Sequence, residues 1–162
     1  MHLLAVIQTL ALMTVANGVP VIAKKLLDGR FAWPLDCGLV FLDGRPLLGA
    51  SKTLRGIILA LVVTAVSAPL VGVEPTTGAI VAASAMVGDL SSSFIKRRLA
   101  MVPSSRALGL DQIPESLFPL LAGRAVLPLT ISDILLGVAL FLIGEIALSR
   151  LLYRVHLRDQ PY

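Results

Sequence analysis

At 162 residues with 56% hydrophobic content, 15% charged residues and a mean hydropathy of +0.88, the chain is too apolar for a soluble domain of its size, whose apolar share is about half or less. One cysteine, Cys37, excludes an internal disulfide and a cysteine metal pair. The two histidines, His2 and His156, stand at opposite ends and give little material for a histidine site. A net charge of +4 without interleaved aromatics fits membrane topology better than nucleic-acid binding.

The first apolar segment, Leu3 to about Ala23, is long enough to cross about 30 Å of hydrocarbon. It lacks a basic leading region and a clear small-residue cleavage site, so it reads as a retained helix. Asn17, Gly18 and Pro20 interrupt it late, and the proline is expected to kink it, freeing carbonyls near a polar Asn at the bilayer boundary. Lys24 to Arg55 is a polar region whose apolar centre, Trp33 to Leu42, is too short to span and is expected to pack at the interface. Its end, Leu42 to Gly56, offers hydroxyls at Ser51 and Thr53 and cations at Lys52 and Arg55 at the mouth of the next helix. Helix N-terminal amides beside cations suit a phosphate. The glycine spacing before Lys52 is not that of a P-loop.

The second span is predicted over Gly56 to Val73, followed by a turn at Glu74-Pro75. The third runs from about Thr77 to Leu90 and continues as a helix to about Arg98. The fourth, Ile113 to about Leu129, is broken by Pro114, Pro119, Arg124 and Pro128, and the fifth is Ile131 to Leu152, with Ser132 or Asp133 as its cap. The expected fold is an all-α integral membrane protein of about five transmembrane helices in one domain, 1–162. Lys24, Lys25, Arg30, Arg45, Lys52 and Arg55, then Lys96, Arg97, Arg98 and Arg106, then Arg150, Arg154 and Arg158 all fall on one side, with Arg124 alone opposite. This places the N-terminus outside and the C-terminus in the cytoplasm.

The densest polar chemistry lies between Val87 and Gln112. Asp89 closes an apolar run, and Ser92, Ser93 and Lys96 follow three, four and seven residues on, which puts the four on one helical face. Arg97 and Arg98 come next, then a loop marked by Pro103 and Gly109, then Asp111. Two carboxylates bracketing a basic cluster suit Mg²⁺ held between Asp89, Asp111 and phosphate oxygens, with the cations neutralising the remaining charge. A basic loop that merely stops helix translocation gives the same KRR run. Glu115 and Glu145 each lie within a span, where an unpaired carboxylate costs about 2.5 kcal/mol or more, so each is a candidate for function or for a structural pair.

GASKTLRG at Gly49 to Gly56, GDLSSSFIKRR at Gly88 to Arg98, GLDQ at Gly109 to Gln112, Asn17 with Pro20, and the closing YRVHLRDQPY resemble the CDP-archaeol synthase family. These are five-span membrane cytidylyltransferases related in chemistry to CDP-diacylglycerol synthases. The resemblance implies transfer of CMP from CTP to a phosphorylated glycerolipid with release of pyrophosphate, using Mg²⁺ in a membrane of lipid partners. It carries over to Asn17, Asp36, Asp43, Lys52, Thr53, Arg55, Asp89, Ser93, Lys96, Arg97, Arg98, Asp111 and Gln112. The archaeal pattern has an acidic residue before the Lys-Thr pair and another after LDQ. Here Ala50-Ser51 and Ile113-Pro114-Glu115 stand there, and Glu115 takes the second acid's place one position along.

The residues agree with that chemistry. A lipid phosphate is already an anionic nucleophile, so attack on CTP needs positioning and charge neutralisation more than a general base, which suits a chain nearly free of histidine. Asp89 and Asp111 are expected to hold Mg²⁺, Lys96, Arg97 and Arg98 to neutralise the leaving pyrophosphate, and Lys52 and Arg55 to orient the lipid phosphate. A CDP-alcohol phosphotransferase would use the same lipid class, but Asp28-Gly29-Arg30 and Asp43-Gly44-Arg45 match only the first two residues of its D-G-x-x-A-R motif. A non-catalytic scaffold or small transporter subunit predicts polar residues through the depth of several helices, whereas here they gather at one end.

Overall fold

Apolar runs of this length leave the backbone no partner but itself, and they fold as helices. The computed structural model describes residues 1–102, 105, 107 and 109–154. Pro103, Arg106, His156 and Arg158, with most of the closing YRVHLRDQPY stretch, lie outside the described residues. Helix α1 is Leu3–Leu27, α2 is Leu54–Ser67 with a closing 3-10 turn at Ala68–Val71, α3 is Pro75–Arg98, α4 is Gln112–Gly123 and α5 is Ile131–Arg154. Three of these, Leu3–Leu27, Leu54–Val71 and Pro75–Arg98, are long and apolar enough to cross a membrane.

Four boundaries differ from expectation, each for a local reason. Helix α1 continues past Pro20 to Leu27. The proline ring is received by Gly56 of α2, where an added Cβ would lie 3.3 Å from the Pro20 Cβ. Pro69 shifts the end of α2 into the 3-10 turn, which stops at Gly72 with φ 77°, a left-handed conformation that glycine adopts freely. Pro75 is no longer part of a turn but occupies the first position of α3, where a missing N–H costs nothing. The helix α4 stops at Gly123 rather than Leu129; its 12 residues reach about 18 Å, well short of a bilayer's hydrocarbon thickness.

The cap of α5 is a reciprocal pair rather than Ser132 or Asp133 alone. Asp133 accepts from the Thr130 backbone N–H at 3.0 Å while Thr130 Oγ1 accepts from the Asp133 N–H at 3.3 Å, as in a capping box. Asp133 is fully buried and also accepts from the His2 backbone N–H at 3.1 Å, which ties the start of α1 to the start of α5. Gln8 donates to the Val71 carbonyl at 2.9 Å at the same end. Gly123, just before Arg124, lies beside Thr9 there, so Arg124 stands apart from the other described basic residues as expected.

Large side chains fill the half of the bundle near that end: Val6, Leu12 and Met13 of α1 meet Val81, Leu120 and Phe141. Toward the other end the contact between α1, α2 and α3 is made by Ala16, Ala60, Ala82, Ala85 and Met86. Small residues let helix backbones approach closely, which matters where lipid supplies no hydrophobic drive between helices. The tightest approach is at Gly88 of α3, which lies directly against the Pro114 and Glu115 backbone at the start of α4.

Candidate active site

The close approach of Gly88 to Pro114 sets the site, because it brings the polar second half of α3 against the first turn of α4. Asp89 follows Gly88 and faces Lys52, the residue before the N-cap of α2. Lys52 Nζ donates to both Asp89 carboxylate oxygens at 2.6 Å, with each side chain about one-fifth exposed. Two turns further along α3, Lys96 is buried and pairs with Asp111 Oδ1 at 2.7 Å while donating to the Ser105 carbonyl at 2.9 Å. The second Asp111 oxygen accepts from the Ala107 N–H at 3.1 Å. Ser92 and Ser93 are buried on the same helix, and Ser92 Oγ donates to the Gly88 carbonyl at 3.0 Å. The predicted face of Asp89, Ser92, Ser93 and Lys96 is therefore real, and it points at α2 and α4.

Glu115 enters this group from the first turn of α4. It lies within electrostatic reach of Asp89 of α3, and close enough to Lys52 and to Glu145 of α5 for each to act on it. Glu145 was visible in the sequence only as a carboxylate inside a span, and its distance along the chain hid its neighbours.

Other candidates have different work. Thr53 caps α2 by accepting from the Gly56 N–H at 3.2 Å. Gln112 Oε1 accepts from the Gly109 N–H at 2.7 Å and closes the turn into α4. Arg55 donates to the Asp28 carbonyl at 3.1 Å and to the Arg30 carbonyl, joining the two ends of the 28–53 loop. Arg97 is buried and donates to the Val102 carbonyl at 2.9 Å. Arg98 bonds Asp43 Oδ1 and the Pro46 carbonyl, each at 2.6 Å, and stacks over the Phe41 ring at 4.6 Å. Its guanidinium holds the loop at Asp43 and Pro46 to the end of α3. Asn17 Nδ2 is buried on α1 without a hydrogen-bond partner.

Asp36 is a loop organiser. One carboxylate oxygen accepts from the Leu48 N–H at 2.9 Å and the Gly49 N–H at 3.0 Å, the other from the Gly38 N–H at 3.1 Å. Burial works to raise its pKa, but these three amide donors outweigh it and hold the group below the ordinary aspartate value. A folded-state pKa below the unfolded one contributes stability that is present above about pH 4 and is lost as pH falls through the lower, folded value. Asp36→Asn is therefore expected to loosen the loop by about 1.5–3 kcal/mol at neutral pH. Limited proteolysis within residues 28–53 should accelerate on acidification in the parent chain, and in the variant should be fast and flat across the same range.

As to a metal, among the described residues no three His, Cys, Asp or Glu side chains converge as a cage. Asp89 and Asp111 supply hard carboxylate oxygens on either side of the α3–α4 contact. That donor set suits a cation such as Mg²⁺, which uses one or two carboxylates and takes its other ligands from water and substrate phosphates.

Comparison with known proteins gives one answer. A family model described as CarS-like CDP-archaeol synthase matches residues 71–162. The CDP-archaeol synthase of Pyrobaculum calidifontis is 35% identical over 157 residues, 91% of each chain. That of Sulfurisphaera tokodaii is 32% identical over 160 residues, covering 91% of this chain and 89% of that protein. Among solved structures, one described as an intramembrane enzyme for archaeal membrane lipids biosynthesis superposes with a TM-score of 0.69 at 27% identity, covering 84% of this chain and 89% of that one.

Proposed function

The chain belongs to the CDP-archaeol synthase family, and from that premise we propose that CMP transfer takes place where α3 meets α4 and the end of the 28–53 loop. The protein is a membrane-embedded, CTP-dependent cytidylyltransferase that moves CMP onto a phosphorylated lipid and yields a CDP-lipid in membrane lipid biosynthesis. The lipid taken by this chain is a phosphorylated archaeol-type ether lipid, as the names of its relatives suggest. Residues 1–162 act as one domain of five helical passes, with α4 a partial one and the polar end toward the cytoplasm, where CTP is found. The clustering of Lys52, Arg55, Lys96, Arg97 and Arg98 at that end supports this orientation.

A lipid phosphate oxygen attacks the α-phosphorus of CTP as the bond from that phosphorus to the bridging oxygen of the β-phosphate breaks. Pyrophosphate leaves with the electron pair. No proton must be removed from the nucleophile, so the protein's task is alignment and charge neutralisation. Lys52 orients the lipid phosphate, with Arg55 fixing the loop that carries it. Lys96 and Arg97 balance the charge growing on pyrophosphate. Ser93 and Asn17 supply buried polar atoms, and Asp36, Asp43, Thr53 and Gln112 hold the loops in shape. Asp89 and Asp111 are the residues that would hold Mg²⁺, which supplies Lewis-acid neutralisation of the triphosphate. Glu115 contacts the substrate phosphates beside Asp89.

The observation that carries this reading is the pair of lysine–aspartate bridges at 2.6 and 2.7 Å, two turns apart on one face of α3. The test is pyrophosphate release by protein purified in detergent, with CTP and Mg²⁺, offering phosphatidate and unsaturated archaetidic acid in parallel. Release only with the ether lipid is the expected result. Release only with phosphatidate overturns the lipid assignment, and release with neither, from folded protein, overturns the reaction.

A further inference from the structure

The 28–53 loop carries a feature that the chemistry leaves unused. Residues 39–47 form a tight antiparallel hairpin: the Leu47 N–H donates to the Leu39 carbonyl and the Phe41 N–H to the Arg45 carbonyl, both at 2.8 Å. The turn closes at Gly44 with φ 74°. Arg98 clamps the hairpin to the end of α3 through Asp43 and Pro46, and Phe41 meets Phe94 edge-to-face at 5.4 Å. A turn this well anchored nonetheless turns its apolar side chains outward. Leu39, Val40 and Leu42 are 61%, 62% and 96% exposed, and Trp33 in the same loop is 67% exposed.

Its position says what covers it. Phe94 lies about 28 Å along α3 from Pro75, close to the hydrocarbon thickness of a bilayer of about 30 Å, so the hairpin is held level with one headgroup layer. Lys24 and Arg30 are exposed on the chain leading into it. An aromatic residue among aliphatic ones, with cations alongside, matches an anionic headgroup region in both polarity and charge.

We propose that the Trp33–Leu42 stretch is seated in the headgroup–acyl boundary of the leaflet that surrounds the helices, as a fixed membrane-contacting lip beside the site. A lip at that depth lets an anionic lipid move laterally from the leaflet toward Lys52 without leaving the membrane. That second step rests on the proposed CMP transfer; the seating does not.

Trp33 is the chain's one tryptophan, so its fluorescence reports on this loop alone. The protein is reconstituted in phosphatidylcholine–phosphatidylglycerol vesicles, with and without phosphatidylcholine brominated near the ester end of the acyl chain. Brominated lipid is expected to remove about half of the Trp33 emission, while aqueous iodide removes little. The Leu39→Ser/Leu42→Ser double variant, which changes two outward-facing side chains, should reverse that preference. In the pyrophosphate assay it should raise KM for the lipid several-fold and leave KM for CTP unchanged. Quenching by iodide but not by brominated lipid overturns the seating. Protection from both quenchers overturns it in favour of contact between copies of the chain. Lipid quenching with unaltered lipid KM keeps the seating and overturns the lateral supply, whereas no turnover in the parent chain counts against the reaction and not against the lip.

Discussion

Asp89→Asn is expected to lower CMP transfer by about 10³-fold while the protein remains folded. The carboxylate receives both short contacts from Lys52 and lies against Glu115, so it joins the loop, α3 and α4 at one point. Asparagine preserves the volume but removes the charge that a phosphate-bound cation and Lys52 both require. A purely structural ion pair predicts something else: the loss would come from an uncompensated ammonium, and neutralising both partners would restore function. The Asp89→Asn/Lys52→Gln double variant separates the two. It should recover thermal stability in detergent relative to the single variant yet remain inactive in pyrophosphate release. Recovery of activity in the double variant, or activity within tenfold of the parent in the single one, would sink the catalytic role.

Gly88→Ala should be the most damaging small substitution in the membrane region. A Cβ there would collide with the Pro114 carbonyl oxygen and lie 2.9 Å from the Glu115 nitrogen, and both are backbone atoms that cannot rotate away. Relief requires α4 to move off α3, at about 1–3 kcal/mol for the overpacking. Because Asp89 and Glu115 flank this contact, activity should fall along with the unfolding temperature. Gly18→Ala is the matched control, since nothing lies within 4 Å of its added Cβ and alanine is the better helix former by up to about 1 kcal/mol. Equal behaviour of the two variants would show that the α3–α4 approach is looser than the close contact at Gly88 implies.

The extent to which the site could be read in advance follows the range of the forces involved. Apolar length and charge asymmetry are properties of the chain itself, so the membrane class, the long spans and the gathering of cations at one end were all legible. Helical period placed Asp89, Ser92, Ser93 and Lys96 on one face, because 3.6 residues per turn is set by backbone geometry and needs no neighbour. The same locality explains the errors. Pro20 reads as a kink in a helix that ends near Ala23, whereas its ring lies against Gly56 of another helix and α1 runs on to Leu27. Arg98 shows in the sequence only as part of a basic run, and its partners Asp43 and Pro46, fifty residues earlier, appear only in the fold.

Partner choice was the part that only tertiary structure decided. Asp89 could have paired with Lys96 two helical turns along, and Asp111 with Lys52. Instead Asp89 meets Lys52 and Asp111 meets Lys96, because the glycine contact at Gly88 sets how deeply α4 enters the groove of α3. The chain by itself determined which groups are present, on which face and at which end of the helices. The approach distance between helices, fixed by a missing side chain rather than by any charged one, determined which of them meet.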